Sequence, residues 1–390
     1  MDHRKLQQLV ERFRRNFGEG EVLFSRAPGR VNLIGEHTDY NGGFVMPMAV
    51  DREVRVLFRP QERGPVRVWS ENYGEWDEFD LDDIRHNETQ GWANYVRGVA
   101  RSLQGAGYEL RPVEGLVYGD LPIGAGLSSS AAIEVSAARA LCRAAGCEVD
   151  SKELALLCQQ AENQFVGVNC GIMDQFVSIH AEREHALLLD CRSLDHQLLP
   201  LDTDAVRVVV CNTMVHHELG GSEYNKRRAR CEKAARILDE RVDVEVEQLR
   251  DVTPEMLEQH SSALDEVTLK RARHVVSEDR RTLEAAEALR DGDYERFGEL
   301  MYASHASLRN DYEVSCEELD VMVEVARGRG GVYGARMVGG GFGGCTVNLV
   351  DRDCTEDFKK AVAAAYRDET GIEPEVYEFV AVEGATVERC

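Results

Sequence analysis

Three short segments of the chain gather side chains and glycines of the kind that bind polar ligands. The first, Arg26-Ala27-Pro28-Gly29-Arg30-Val31-Asn32-Leu33-Ile34-Gly35-Glu36-His37-Thr38-Asp39-Tyr40-Asn41-Gly42-Gly43, sets charged groups between glycines. Glu36 and Asp39 can each accept two hydroxyl protons, His37 can donate or accept, and Gly35 permits close backbone approach, which suits a hydroxyl-rich ligand such as a sugar. The second runs Gly119-Asp120-Leu121-Pro122-Ile123-Gly124-Ala125-Gly126-Leu127-Ser128-Ser129-Ser130-Ala131-Ala132 and opens an alanine-rich helix. Unpaired N–H groups at a helix start, flanked by small side chains, wrap an anion, so this segment is expected to cradle phosphate. A serine hydroxyl at that point can also ligate Mg²⁺. The segment lacks the lysine of G-x-x-x-x-G-K-[ST], and no H-R-D or D-F-G set accompanies it, which excludes the Walker A and protein-kinase patterns.

The third segment, Met337-Val338-Gly339-Gly340-Gly341-Phe342-Gly343-Gly344-Cys345-Thr346, formally satisfies G-x-G-x-x-G through Gly339, Gly341 and Gly344. A β-prone run follows it instead of a helix, and no acidic residue is placed for a ribose, so the dinucleotide reading fails. A glycine turn between two strands instead lets backbone approach a ligand closely.

These segments need elements to hold them. Val54 to Phe58, Val66 to Ser70 and Glu78 to Leu81 are β-prone runs divided by Pro60, Gly64 and Gly74. Helical spacing covers Trp92 to Leu103 and Ala131 to Ala145, the latter stopped by Gly146. A helix over Ser151 to Phe165, with Ser151 as its cap, leads into a loop from Gly167 to Gly171. After a strand at Val206 to Cys211, long charged helices are expected over roughly 222–240, 264–290 and 294–308. The tail returns to strands at Ala335 to Val338, Cys345 to Val350 and Glu375 to Val382, with a helix over Thr355 to Tyr366. This is an α+β chain in two halves, residues 1–205 and 206–390.

The formal charge of -24 argues against nucleic acid as a partner, and it requires any phosphate site to be assembled locally from N–H groups, a few cations and metal. Eleven cysteines, with no C-x-x-C pair and no zinc spacing, suit a reducing compartment, so a cytoplasmic protein is expected. No run is long and apolar enough for a membrane span, and membrane is not expected as a partner. The opening MDHRKLQQLVERFRRNF reads as a folded surface helix; Asp2 and Glu11 interrupt the pattern of a transit peptide.

In this order, the three segments resemble the three motifs of the GHMP kinases, and Pro28 to Gly43, reading PGRVNLIGEHTDYNGG, resembles the sugar motif of the galactokinase branch. Further agreement comes from Cys170-Gly171-Ile172-Met173-Asp174-Gln175, Tyr224-Asn225-Lys226-Arg227-Arg228 and Tyr312-Glu313-Val314-Ser315-Cys316. The resemblance implies an N-terminal domain similar to ribosomal protein S5 domain 2, a ferredoxin-like C-terminal domain, and a site between them. It implies phosphorylation of the anomeric hydroxyl of galactose by ATP with Mg²⁺, the first committed step of galactose catabolism by the Leloir pathway. Asp174 and Arg30 would be catalytic. Two roles stay open for Asp174, base or orienting group, because a neighbouring guanidinium favours the ionised form of a carboxylate and weakens it as a base. Glu36, His37, Thr38, Asp39, Gly171, Asp174 and Tyr224 would bind the sugar. Ser70, Gly124, Ala125, Gly126, Leu127, Ser128, Ser129 and Ser130 would hold the nucleotide, and Ser130 with Glu162 the metal. One departure is Val338, where galactokinases usually carry threonine. Kinases for arabinose or N-acetylgalactosamine, and a non-catalytic sugar and ATP sensor, remain rivals. The complete Glu-His-Thr-Asp-Tyr run favours galactose, and Asp174 with Arg30 favours turnover. Oligomeric state is open, with a monomer favoured.

Overall fold

The runs of alternating apolar residues form the strands β1 (Leu23–Asn32), β2 (Phe44–Val45), β3 (Pro47–Pro60), β4 (Val66–Ser70), β5 (Glu75–Phe79), β6 (Val113–Gly119), β7 (His185–Asp190), β8 (His196–Pro200), β9 (Val206–His216), β10 (Val332–Val338), β11 (Gly343–Asp351), β12 (Glu375–Phe379) and β13 (Thr386–Arg389). The computed structural model describes residues 3–122, 126–216 and 220–390. One sheet has the order β13-β1-β3-β6-β4-β5, with β4 and β6 parallel and the other neighbours antiparallel. Alternation sends Val56 and Phe58 into the main core and Leu57 to the other face, where Leu9 and Phe13 of the helix His3–Phe17 cover it. Helices Ser129–Ala145 and Met173–His180 pack on β1 and β3, and Ala93–Gly105 and Ser151–Gln160 pack on those helices.

In the second half the sheet order is β10-β11-β9-β12, antiparallel throughout. The path from β9 through helices to the hairpin β10–β11, then through helix Thr355–Thr370 to β12, is the βαββαβ order of ferredoxin-like domains. β2, β7 and β8 form a small third sheet that meets β3 and helix Glu266–Asp291. Helix Glu317–Arg327, which the periodicity did not mark, buries Leu319, Met322, Val323 and Ala326.

Several expectations need correction. The strand expected at Glu78 to Leu81 is β5 at Glu75–Phe79, because the Gly74 N–H closes a turn onto the Ser70 carbonyl and pairing resumes at Ser70–Glu75. The cap of helix Ser151–Gln160 is Asp150, not Ser151: Asp150 is extended and its carboxylate accepts from the N–H groups of Lys152 and Glu153. That helix does not run unbroken to Phe165, because Ala161–Val166 widen into a π-helical turn. The chain does not stay in its second half after residue 206; β13 returns to pair with β1, so the last residues complete the first sheet.

Candidate active site

Strand β1 changes register with β3 between Pro28 and Arg30, at Gly29. A Cβ on Gly29 would lie 2.3 Å from Leu121 and 2.5 Å from the Leu127 carbonyl, so only glycine lets the second segment approach the strand this closely. The bulge carries Arg30 into a cavity of about 560 Å³, lined also by Glu36, His37, Asp39, Gly171, Asp174 and Tyr224. Arg30 Nε and Nη2 donate to the two oxygens of Asp174, each at 2.7 Å, a bidentate pair. Burial works against the Arg30 charge, but Asp174, and then Glu36 and Asp39, hold its pKa above the ordinary arginine value.

The loop after β1 is braced from the second half of the chain. Arg336 of β10 is fully buried and donates to the carbonyls of Asn32 and Leu33 and, at 2.8 Å, to the Glu36 carboxylate. Glu278 accepts from the Gly35 N–H at 3.1 Å, His274 Nε2 meets the Glu36 carbonyl at 3.0 Å, and Asp279 accepts from the Phe44 N–H at 2.9 Å. Glu36 therefore spends much of its acceptor capacity on protein, taking bonds from Asn32 and the Gly339 N–H as well. Thr38 differs from expectation. Its hydroxyl sits between the carbonyls of Gly35 and Phe44, fully buried and outside the cavity lining, where it closes the loop instead of meeting a ligand.

Asp39 stands half-buried in the cavity wall, and its carboxyl pKa is pushed up to about 7 by desolvation and then by Asp174 and Glu36. A Cβ on Gly171 would fall 1.9 Å from Asp39 Oδ2, so a side chain at 171 would displace that carboxylate. His37 keeps its ring neutral, its pKa lowered to about 3 by burial and then by His274 and Arg227. Its Nδ1 lies 2.7 Å from the Tyr40 hydroxyl while Nε2 has no partner. The Tyr224 ring packs 5.7 Å from His37 and 5.0 Å from Tyr40.

Of the second segment, Gly124 and Ala125 lie outside the described residues. Gly126 accepts from Arg30 Nη1 at 2.6 Å through its carbonyl. Leu127 contributes backbone only: its side chain is in the core and its carbonyl accepts from the Arg30 N–H. Ser128 opens helix Ser129–Ala145 without capping it, which leaves the first helical N–H groups free of a side-chain partner, and its hydroxyl donates instead to Asp174 Oδ2. Ser129 borders a second, smaller cavity with Ser70, where Tyr73 and Trp92 stack with their planes 10° apart. These two aromatic residues escaped the sequence reading, since a tyrosine in a turn and a tryptophan at a helix start carry no local signal of ligand contact. Val338 points into the core, and its carbonyl would lie 4.0 Å from a Cβ on Gly126, so the glycine turn of the third segment reaches the phosphate segment through backbone.

Glu162 is buried, unlike a helix-face glutamate. The π-helical turn places it where Gln175 Nε2 donates to its carboxylate at 2.7 Å and the Cys170 thiol at 3.1 Å, with Ser130 near enough to favour its charged form. Gln175 also holds Glu134, a fully buried carboxyl with one oxygen unpartnered. Burial raises the pKa of both acids, Asp174 raises both further, and Glu162 adds to the rise of Glu134. Among the described residues no group of three or more His, Cys, Asp or Glu is arranged as a closed metal site. One hydroxyl and one carboxylate beside uncompensated buried acid fit a hard cation that takes its other ligands from substrate phosphates and water.

The neighbourhood of this site matches known proteins. Residues 11–60 match the family described as galactokinase galactose-binding signature, 94–182 the GHMP kinases N-terminal domain, and 285–368 the GHMP kinases C-terminal domain. The chain is 48% identical over 367 residues to a galactokinase of Chloroflexus aggregans, covering 94% of each chain. It is 46% identical to a galactokinase of Roseiflexus sp., covering 97% of this chain and 96% of that one. The chain belongs to the galactokinase family. The crystal structure of Lactococcus lactis galactokinase complexed with galactose superposes with a TM-score of 0.94 at 40% identity, over 98% of this chain and 99% of that one. A mevalonate kinase shares the fold at a TM-score of 0.62 and 16% identity, covering 93% of this chain and 99% of that one. The galactokinase signature spans the bulge at Gly29 and the whole braced loop. The N-terminal match spans the serine segment and Asp174.

Proposed function

We propose that this chain transfers the γ-phosphate of ATP to the anomeric hydroxyl of galactose, giving galactose 1-phosphate and ADP. The observation that carries the reading is the Arg30–Asp174 pair, which lies in a cavity walled by hydrogen-bonding groups of the first segment and is bonded directly to Ser128 and Gly126 of the phosphate segment. A sugar in the cavity donates its hydroxyls to Asp39 and Glu36 and meets the neutral His37, while Tyr224 closes the wall. Asp174 orients the reacting hydroxyl and takes its proton; Arg30 lies where negative charge on the transferring group is stabilised. In a loose phosphoryl-transfer transition state the nucleophile needs little activation, so positioning by this pair supplies most of what Asp174 contributes before the proton moves. The free N–H groups at the start of helix Ser129–Ala145 and the hydroxyls of Ser129 and Ser130 receive the phosphates, and the cavity beside Ser70 takes the base.

A kinase acting on ATP requires a divalent cation. Mg²⁺ is our assignment, with Ser130 and Glu162 to hold it, and its chemistry when bound is neutralisation of charge on the phosphate oxygens. We further infer a cytoplasmic monomer of two lobes that divide near residue 205, the first of which takes back the last strand, β13. The free state of every described cysteine supports the compartment, and no described helix is long and apolar enough to cross a membrane.

A coupled assay of ADP release across a sugar panel tests the function. Galactose with Mg²⁺ is expected to drive turnover, and glucose, whose misplaced hydroxyl leaves a buried acceptor unpaired, is expected to be poor by two or more orders of magnitude. Equal turnover on the two sugars would falsify the assignment.

A further inference from the structure

The hydroxyl of Ser128 is turned away from the helix it opens. A serine at this position ordinarily accepts from the N–H of the second or third helical residue. Ser128 instead has φ +58° and ψ +49°, a left-handed conformation that an L-residue adopts only at a cost, and makes no such bond. Its Oγ donates to Asp174 Oδ2, which also accepts from Arg30 Nη2, while Oδ1 accepts from Arg30 Nε. A carboxylate offers about four acceptor sites, so three are occupied before any substrate arrives.

Ser128 also belongs to the segment that the proposed function gives to the ATP phosphates, and a phosphate oxygen competes with Asp174 for its one proton. The backbone around it is tied down: Arg30 Nη1 holds the Gly126 carbonyl at 2.6 Å and the Arg30 N–H holds the Leu127 carbonyl at 3.1 Å. The hydroxyl can therefore change partner by rotation of one side-chain bond without movement of the loop.

We propose that Ser128 is a positioning residue that couples the two substrate sites, an inference that rests on the galactokinase reading above. Without nucleotide, its hydroxyl occupies Asp174 Oδ2. With nucleotide, the hydroxyl donates to a phosphate oxygen and Asp174 regains an acceptor for the sugar. Nucleotide then tightens galactose binding, and by linkage galactose tightens nucleotide binding by the same factor, about tenfold for one hydrogen bond to a charged group.

The experiment is a calorimetric titration of galactose into the full chain, alone and saturated with Mg²⁺ and the β,γ-imido analogue of ATP. The native protein is expected to bind galactose about tenfold more tightly with the analogue. Ser128→Ala is expected to bind galactose without nucleotide as tightly as the native protein does with it, so the coupling factor falls to about one because the free-state affinity rises. Ser128→Gly, at ease in the left-handed region and also lacking the hydroxyl, reads the same quantity should alanine disturb the fold. Native-like coupling in Ser128→Ala or Ser128→Gly overturns the proposal, as does an absence of coupling in the native protein or its loss through weakened nucleotide-bound affinity. A native protein that binds no galactose in either state instead removes the galactokinase reading itself.

Discussion

Galactose affinity is expected to depend on pH through Asp39. Burial first, then the charges of Asp174 and Glu36, raise its carboxyl pKa from 3.8 to about 7, against the opposing Tyr40 N–H and Arg30. At about 1.4 kcal/mol per pH unit, this amounts to about 4 kcal/mol in favour of the protonated acid in the empty cavity. Between about pH 4 and pH 7 the folded protein holds a proton that the unfolded chain has released, so this group's contribution to stability falls as pH rises through that window. Sugar hydroxyls donate to the ionised form, so binding works in the opposite sense and expels the proton. Affinity should plateau above pH 7 and weaken below it, by about tenfold from pH 8 to pH 6. His37 and His274, with pKa values of about 3 and about 4, are neutral across this range and add no slope. Asp279, also raised to about 7 by burial, braces the same loop through the Phe44 N–H, so the native profile alone is ambiguous. Asp39→Asn resolves it: binding should be weaker at pH 8 but flat to pH 6. Calorimetry in two buffers of different ionisation enthalpy reads both the affinity and the proton released. A flat native profile, or a slope that survives in Asp39→Asn, would refute the reasoning.

Asp174→Asn keeps one acceptor but removes the charge and the ability to take a proton, so turnover should fall by at least about a hundredfold while calorimetric galactose affinity falls by no more than about the tenfold of one charged hydrogen bond; turnover within a few-fold of native would dismiss both roles given to Asp174. Ser130→Ala should move the Mg²⁺ concentration needed for half-maximal turnover upward severalfold, with the melting temperature held, and an unmoved metal titration would show that the hydroxyl serves only Glu162 and the helix start.

The three chemistry-bearing segments were legible because each announces itself locally: glycines where backbone must come close, acids and a histidine where hydroxyls must be met, serines where a helix begins. Strand β4 and the helix ending at Gly146 were legible for the same reason, since alternation and a stop residue are short-range signals. What escaped was set by which partners the folded chain brings to a side chain. Arg336 stands in a β-prone run, where a lone charge reads as facing solvent, yet it is fully buried on Glu36, Asn32 and Leu33, three hundred residues earlier. Glu162 has the local pattern of a solvated helix face, and only the π-helical turn, the buried Gln175 and the half-buried Cys170 turn it inward. Thr38 sits in the motif and reads as a ligand group, but the carbonyls of Gly35 and Phe44 claim its hydroxyl first, since an unpaired carbonyl in a buried turn costs more than a lost ligand contact.

The burial of Arg336 bears on how the site works. The loop from Gly35 to Phe44 carries the groups we assign to the sugar, but Arg336, Glu278, His274 and Asp279 of the second half hold its backbone and the Glu36 carboxylate. Removing Arg336 would strand Glu36 as a buried charge with only amide donors, a situation that costs several kcal/mol and that the loop would relieve by moving. The motif therefore supplies the groups we assign to the sugar, while the placement of Glu36 is set by a buried ionic brace whose residues, read singly, belong to strands and helices with no chemistry of their own.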